Sequence, residues 1–192
     1  MSELPLIAVT DSASCPRPLA EQIERLAKLT ELRPQAVILR AKSLDKAAYR
    51  TLALEVQQSC EAAGIPLILH SNWQLAHDLG ISKLHLPLAL LRQMTACERA
   101  YFTWLSTSVH SVGEAQEAQA LGATVLIAGH IYTTQCKAGL APRGLGFLQA
   151  VCSAVSLPVY AIGGIGFDAA QHGELQANGA RGACVMSAYM RL

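Results

Sequence analysis

The sequence predicts an α/β fold in which a parallel sheet lies buried beneath helices, and three observations carry that expectation. Hydrophobic residues make up 52% of the 192 positions and charged residues only 15%, against roughly 45–50% and about 25% in ordinary soluble domains. Short apolar runs alternate with longer stretches of helical period. Several of the runs, such as Val37-Ile38-Leu39 and Val125-Leu126-Ile127, are continuously apolar, as strands covered on both faces must be.

Taken in order, the expected strands are Pro5–Thr10, Gln35–Arg40, Pro66–His70, Lys83–Leu86, Phe102–Thr107, Thr124–Gly129, Pro158–Ile162 and Ala183–Ser187. Pro66 and Pro158 stand at strand starts, where a missing N–H interrupts no ladder. After the first strand, Leu19, Ile23, Leu26 and Leu29 recur at helical spacing, and Ala47, Leu52, Leu54 and Val56 mark a second apolar face. A buried helix is expected from Leu145 to Val155, broken at Leu157-Pro158. Asp168 stands where a helix N-cap belongs, and Gly64, Gly122 and Gly179 where helices stop. Eight units in this length leave about 24 residues each, tight for a closed barrel of about 250 residues. An open, doubly wound sheet fits the same pattern. Only Ala188 to Leu192 follow the last strand, so a barrel built from these units lacks its final helix.

Composition also excludes function classes. The chain reads as one domain over residues 1–192, with 15 basic and 14 acidic residues and a net charge of +1. Nucleic-acid surfaces gather Lys and Arg, and no such cluster exists here. The start, Met1-Ser2-Glu3-Leu4-Pro5, lacks the basic region of a signal peptide. The uncharged stretch between Arg143 and Asp168 is interrupted by Gly144, Gly146, Pro158, Gly163 and Gly164, so no membrane span is expected. Six cysteines without a C-x-x-C pair read as small buried residues in a reducing cytoplasm.

In either architecture, ligands meet the carboxyl ends of the strands. Those ends deliver Asp11; Arg40 and Lys42; His70, Ser71 and Asn72; His85; Ser106, Ser108 and His110; His130, Thr134 and Lys137; Gly163 and Gly164; and Met186 with Ser187. Gly163-Gly164, between a strand and a helix, suits an anion held by backbone N–H groups, although paired glycines also make tight turns. Arg40, Lys42 and Lys137 are candidates for binding a carboxylate or another anion. Among the acidic residues only Asp11 and Asp168 fall near strand ends, and the histidines lack paired spacing, so no metal site is expected. His130, directly after an apolar strand and Gly129, is the candidate for proton transfer near neutral pH. Ser108 and His110 are pocket candidates, and His70, His77, His85 and His172 read as structural.

The ordered segments Val9-Thr10-Asp11, Leu39-Arg40-Ala41-Lys42, Leu84-His85-Leu86, Ser108-Val109-His110, Thr134-x-x-Lys137, Pro158 to Ile165, and Gly179-Ala180-Arg181-Gly182 running into Ser187-Ala188 resemble the thiamin-phosphate synthase/TenI superfamily. The resemblance implies a (β/α)8 TIM barrel. Synthases of that superfamily join a pyrimidine diphosphate to a thiazole phosphate with Mg²⁺. They carry Asn-Asp-Arg where this chain has His70-Ser71-Asn72, and a Gln with acidic residues where it has Pro87 to Leu90. Where Ile38 stands, synthases have glutamine. With His130 where synthases usually have proline, the chain is similar to the TenI branch. That branch implies a thiazole tautomerase, an isomerase aromatising a carboxylated dihydrothiazole phosphate without metal or cofactor. His130 is then the acid/base, with Thr134, Gly163, Gly164, Met186 and Ser187 on the phosphate. The other implied readings are a degenerate Mg²⁺-dependent synthase and a non-catalytic protein that binds thiazole phosphate. The expected partner is a small phosphorylated thiazole, and a homodimer is compatible with the family.

Overall fold

The structure is a computed structural model and describes residues 4–137 and 139–192; the reading of Met1 to Glu3 lies outside them. Eight strands form the sheet: β1 (Leu6–Val9), β2 (Ala36–Leu39), β3 (Leu67–His70), β4 (Lys83–Pro87), β5 (Trp104–Val109), β6 (Val125–Gly129), β7 (Val159–Ile162) and β8 (Gly182–Val185). Each pairs in parallel with the next and β8 pairs with β1, closing a barrel. This settles the choice between closed and open sheets in favour of the (β/α)8 barrel.

Alternation along the strands divides the core in two. Ile7, Val9, Ile38, Ile68, Ile127 and Cys184 belong to a cluster inside the barrel. Ala8, Val37, Leu39, Leu69, Leu126 and Ala161 belong to a larger cluster shared with the helices. In β1, β2, β6 and β8 every residue is buried on either face, which explains the unbroken apolar runs.

The helices are α1 (Leu19–Ala27), α2 (Lys46–Ala63), α3 (Trp73–Asp78), α4 (Leu88–Leu91), α5 (Ala96–Ala100), α6 (Val112–Ala120), α7 (Gly144–Ala154), α8 (Ala169–Ala177) and α9 (Ser187–Arg191). Asp168 caps α8, its carboxylate accepting from the Gln171 N–H at 2.7 Å. Gly64 ends α2 in the left-handed region with φ 62°. The inward face of α2 differs from the expected one: Tyr49, Ala53, Val56 and Cys60 are buried, while Leu54 is exposed. Small side chains and one tyrosine fit this close seat, and a leucine at position 54 points outward. Helices α3, α4 and α5 were not legible as periodic segments, being only four to six residues long.

The expected gap after the last strand is filled by one short turn of helix, α9. Tyr189 is fully buried there, its ring 4.9 Å from Phe167 and its hydroxyl donating to Leu32 O at 2.9 Å. From α1, Gln22 donates to Tyr189 O at 2.5 Å. The cysteine expectation needs correction too. Cys60 and Cys184 are buried, but Cys97 and Cys136 are exposed, because they fall on a short surface helix and in a loop. Among the described residues no helix is long and apolar enough to cross a membrane.

Candidate functional site

The carboxyl mouth of the barrel has two unlike sides. On one, the inward register continues past the apolar interior into polar residues. Leu39 pairs with Leu69, so Arg40 and His70 follow on adjacent strands; His70 pairs with His85, His85 with Ser106, and Pro87 with Ser108. Arg40, His70, His85 and the two serines thus form a row across β2 to β5.

Each member of the row is held. Thr10 Oγ1 donates to Arg40 O at 3.0 Å and accepts from Arg40 N–H at 2.9 Å, which ties the ends of β1 and β2. The Arg40 guanidinium lies 3.7 Å from Asp11, whose other oxygen accepts from Ser14 Oγ at 2.5 Å. Tyr49 of α2 donates to Leu39 O at 2.8 Å and accepts from His70 N–H at 3.2 Å, joining β2 to β3. His70 Nδ1 lies 2.7 Å from Ser71 Oγ. His85 is buried between Ser106 Oγ, 3.0 Å from Nδ1, and Ser108 Oγ, 3.1 Å from Nε2; Ser106 Oγ in turn donates to Leu84 O at 3.2 Å. The two imidazole rings are 5.5 Å apart.

Burial disfavours the charged form of an imidazole, and nearby cations disfavour it further. Burial, then Arg40 and Lys42, push His70 down to about 4. Burial, then His70, push His85 down to about 3. Both rings are therefore neutral near pH 7, and the formal positive charge in this row is on Arg40 and the exposed Lys42.

The other side of the mouth is backbone. Gly163 and Gly164 have φ of 103° and 69°, conformations that side chains with a Cβ resist. A Cβ on Gly163 would strike His130 Cβ, and one on Gly164 would lie 2.5 Å from Thr133 O. The pair lets the β7–α8 turn lie flat on the loop after β6, where Ile131 N–H donates to Ile162 O at 2.9 Å and Tyr132 N–H to Gly163 O at 3.0 Å. Gln171 of α8 fastens the turn, donating to Gly164 O and accepting from Gly166 N–H, both at 3.0 Å. Met186 and Ser187 are half-buried where β8 passes into α9.

His130 is half-buried, with Nε2 3.4 Å from Leu140 O and its own carbonyl accepting from Arg143 N–H at 2.9 Å. Thr134 is half-buried and Lys137 exposed in the same loop. His110 Nδ1 lies 2.8 Å from Gly129 O, a contact that fixes the end of β6. His77 stacks on Tyr101 at 4.7 Å, and His172 Nε2 lies 2.9 Å from Gly166 O. His70 and His85, expected to be structural, and Ser106, expected only at a strand end, fall in the polar row. The signal was present: two-residue alternation from Ile68 to His70, and from Ser106 to Ser108, aims them into the barrel.

A magnesium ion does not fit the residues present. Mg²⁺ is bound through carboxylates and oxygen ligands, yet Asp11 is engaged by Arg40 and Ser14. Ser71 and Pro87 to Leu90 offer no carboxylate, and among the described residues no group of three or more His, Cys, Asp or Glu could hold a metal.

Comparison with known proteins agrees with this barrel and corrects its expected chemistry. The thiamine-phosphate synthase of Listeria welshimeri is 36% identical over 158 residues, covering 79% of this chain and 74% of that protein. The thiamine-phosphate synthase of Syntrophomonas wolfei is 29% identical over 196 aligned positions, covering 98% and 90%. Among solved structures, the thiamine phosphate pyrophosphorylase of Pyrococcus furiosus superposes with a TM-score of 0.79 at 23% identity, covering 98% of this chain and 88% of that one; that likeness concerns the fold. The expectation of a thiazole tautomerase, an isomerase of the TenI branch, is overturned, because these relatives are synthases, which are transferases. The physical reason is that the branch was chosen from a few positions in loops, His130 above all. Loops at strand ends change residues without changing the barrel that carries them. The family's profile spans residues 6–189, and the chain belongs to the thiamine monophosphate synthase family.

Proposed function

We propose that the chain is a transferase of the thiamine-phosphate-synthase type, joining a pyrimidine diphosphate to a thiazole phosphate. The observation that carries this reading is the division of a single mouth into a cationic side and a glycine side. Two phosphate-bearing substrates need two anion seats, and the two sides of this mouth would serve as them. Arg40 and Lys42, with Lys137 from the loop after β6, would take the diphosphate. Gly163, Gly164, Met186 and Ser187, with Thr134, would take the thiazole phosphate. Ser108 and His110 stand at the end of β5 between the two.

The reaction forms a bond from the thiazole nitrogen to the pyrimidine methylene carbon. The bond from that carbon to the diphosphate oxygen breaks, and its electron pair leaves with diphosphate. What the residues contribute is charge at the leaving oxygens and a fixed approach of the two rings. Incubating the purified protein with both substrates and detecting thiamine phosphate by mass spectrometry tests the reading. Product at multiple turnovers is expected, and none with either substrate alone. The absent carboxylates favour a second reading, binding of thiazole phosphate without turnover. Saturable binding in equilibrium dialysis with no product under any metal condition would select it.

A further inference from the structure

We propose that His70 completes an anion seat with Arg40 and Lys42, so that the diphosphate end of the ligand binds here without a divalent cation. The inference rests on the transferase reading for the identity of that ligand, but its geometry is independent of turnover. His70 is half-buried, and its Nδ1 is taken by Ser71 Oγ at 2.7 Å. Its Nε2 has no hydrogen-bond partner among the described residues, and it is not sequestered either. The single buried side-chain nitrogen or oxygen left without a partner there is Trp104 Nε1. Nε2 of His70 therefore opens at the mouth, one strand from Arg40 in a register fixed by the Leu39–Leu69 pair.

The surroundings decide which charge this edge meets. From β2 come Arg40 and Lys42, both of which act electrostatically on the ring. From β4 comes His85, neutral and 5.5 Å away. From α2 comes the neutral Tyr49 hydroxyl, and from β1 comes Asp11, already beside Arg40 at 3.7 Å. Among the described residues no carboxylate acts on His70 except Asp11 through Arg40, so the seat repels cations and attracts anions. The Nδ1–Ser71 Oγ contact of 2.7 Å is met by a tautomer in which the hydroxyl donates to Nδ1, and we assign that tautomer, whose proton is on Nε2 toward the ligand. Ser71 is held at φ 66°, a left-handed conformation outside glycine, and its N–H donates to His85 O at 2.8 Å. That turn keeps the hydroxyl against the ring. An N–H donor and two cations supply the charge complement that carboxylate-held Mg²⁺ would otherwise bring to phosphate oxygens.

The test uses inorganic pyrophosphate with the full chain, stripped with EDTA and exchanged into metal-free buffer. Calorimetry is run on wild type, His70→Asn and His70→Gln, and the ring nitrogens are followed by ¹⁵N NMR. Wild type is expected to bind pyrophosphate without metal, and added Mg²⁺ should improve binding less than threefold. Losing a hydrogen bond to a charged group should weaken metal-free binding roughly 10- to 100-fold in His70→Asn, and His70→Gln, whose amide N–H reaches the Nε2 position, should recover part of that loss. The Nε2 resonance of His70 should move on titration and report a protonated nitrogen. Binding that begins only when Mg²⁺ is added would overturn the proposal, as would an Nε2 signal that ignores pyrophosphate. Metal-free binding through His70 with no thiamine phosphate formed would leave the seat standing and sink the transferase reading. The converse holds for product that forms only with Mg²⁺.

Discussion

Two neutral imidazoles at the barrel mouth tie the stability of the fold to pH. In the unfolded chain both histidines titrate near 6.5, whereas in the folded chain they stay neutral down to about 4 for His70 and about 3 for His85. Below pH 6.5 the unfolded chain takes up protons that the folded chain does not. The stabilisation is therefore complete above that pH and is lost as pH falls toward 4 and 3. Each tenfold difference in proton affinity between the two states is worth about 1.4 kcal/mol. The melting temperature should be flat from pH 8 to 7 and decline steadily from 6.5 to 4, and more shallowly in His70→Asn. An equal decline in that variant would show that His70 is not the group responsible. These histidines also show where sequence reading stopped. A histidine on an apolar strand gives no sign of its partners, and Ser106 and Ser108 reach His85 only because β4 and β5 pair in one particular register.

At the scale of elements, the turn after β7 shows one short segment serving two demands. The sequence suggested an anion cradle at Gly163-Gly164 or a mere tight turn, and the structure adds a third party, the loop after β6 that presses against it. Gly163→Ala must adopt φ near 103° and push back His130. It should cost about 2–4 kcal/mol in urea unfolding and weaken inorganic phosphate binding, whereas Gly166→Ala, with open space around its Cβ, should do far less to stability. Equal stability losses at the two positions would contradict the close approach. Strand positions were legible because burial on both faces leaves unbroken apolar runs. The α2 face was not, since its buried stripe of Tyr49, Ala53, Val56 and Cys60 holds fewer large aliphatics than its exposed side. Helices of one turn carry too few residues for any period to show.

Over the whole molecule, closure of the barrel requires that its last seam be covered, and α9 does this with a single turn. Tyr189 packs on Phe167 and bonds Leu32 O, so the end of the chain is stitched to the region around α1. Tyr189→Ala should destabilise by about 3–5 kcal/mol, and Tyr189→Phe, which loses the hydroxyl bond alone, by about 1 kcal/mol. Denaturation midpoints that do not separate the two variants would show that the seam is covered by other contacts. The same closure gathers the cationic row of β2 to β4 and the glycine turn of β7 around one mouth. From that mouth the transferase reading follows. Phosphorus-31 NMR of the protein mixed with pyrimidine diphosphate and thiazole phosphate tests it most directly. The account predicts an inorganic pyrophosphate signal that grows only when both substrates are present, in step with a new phosphate monoester. Pyrophosphate released at the same rate without the thiazole, or none released while both substrates remain bound, would contradict it.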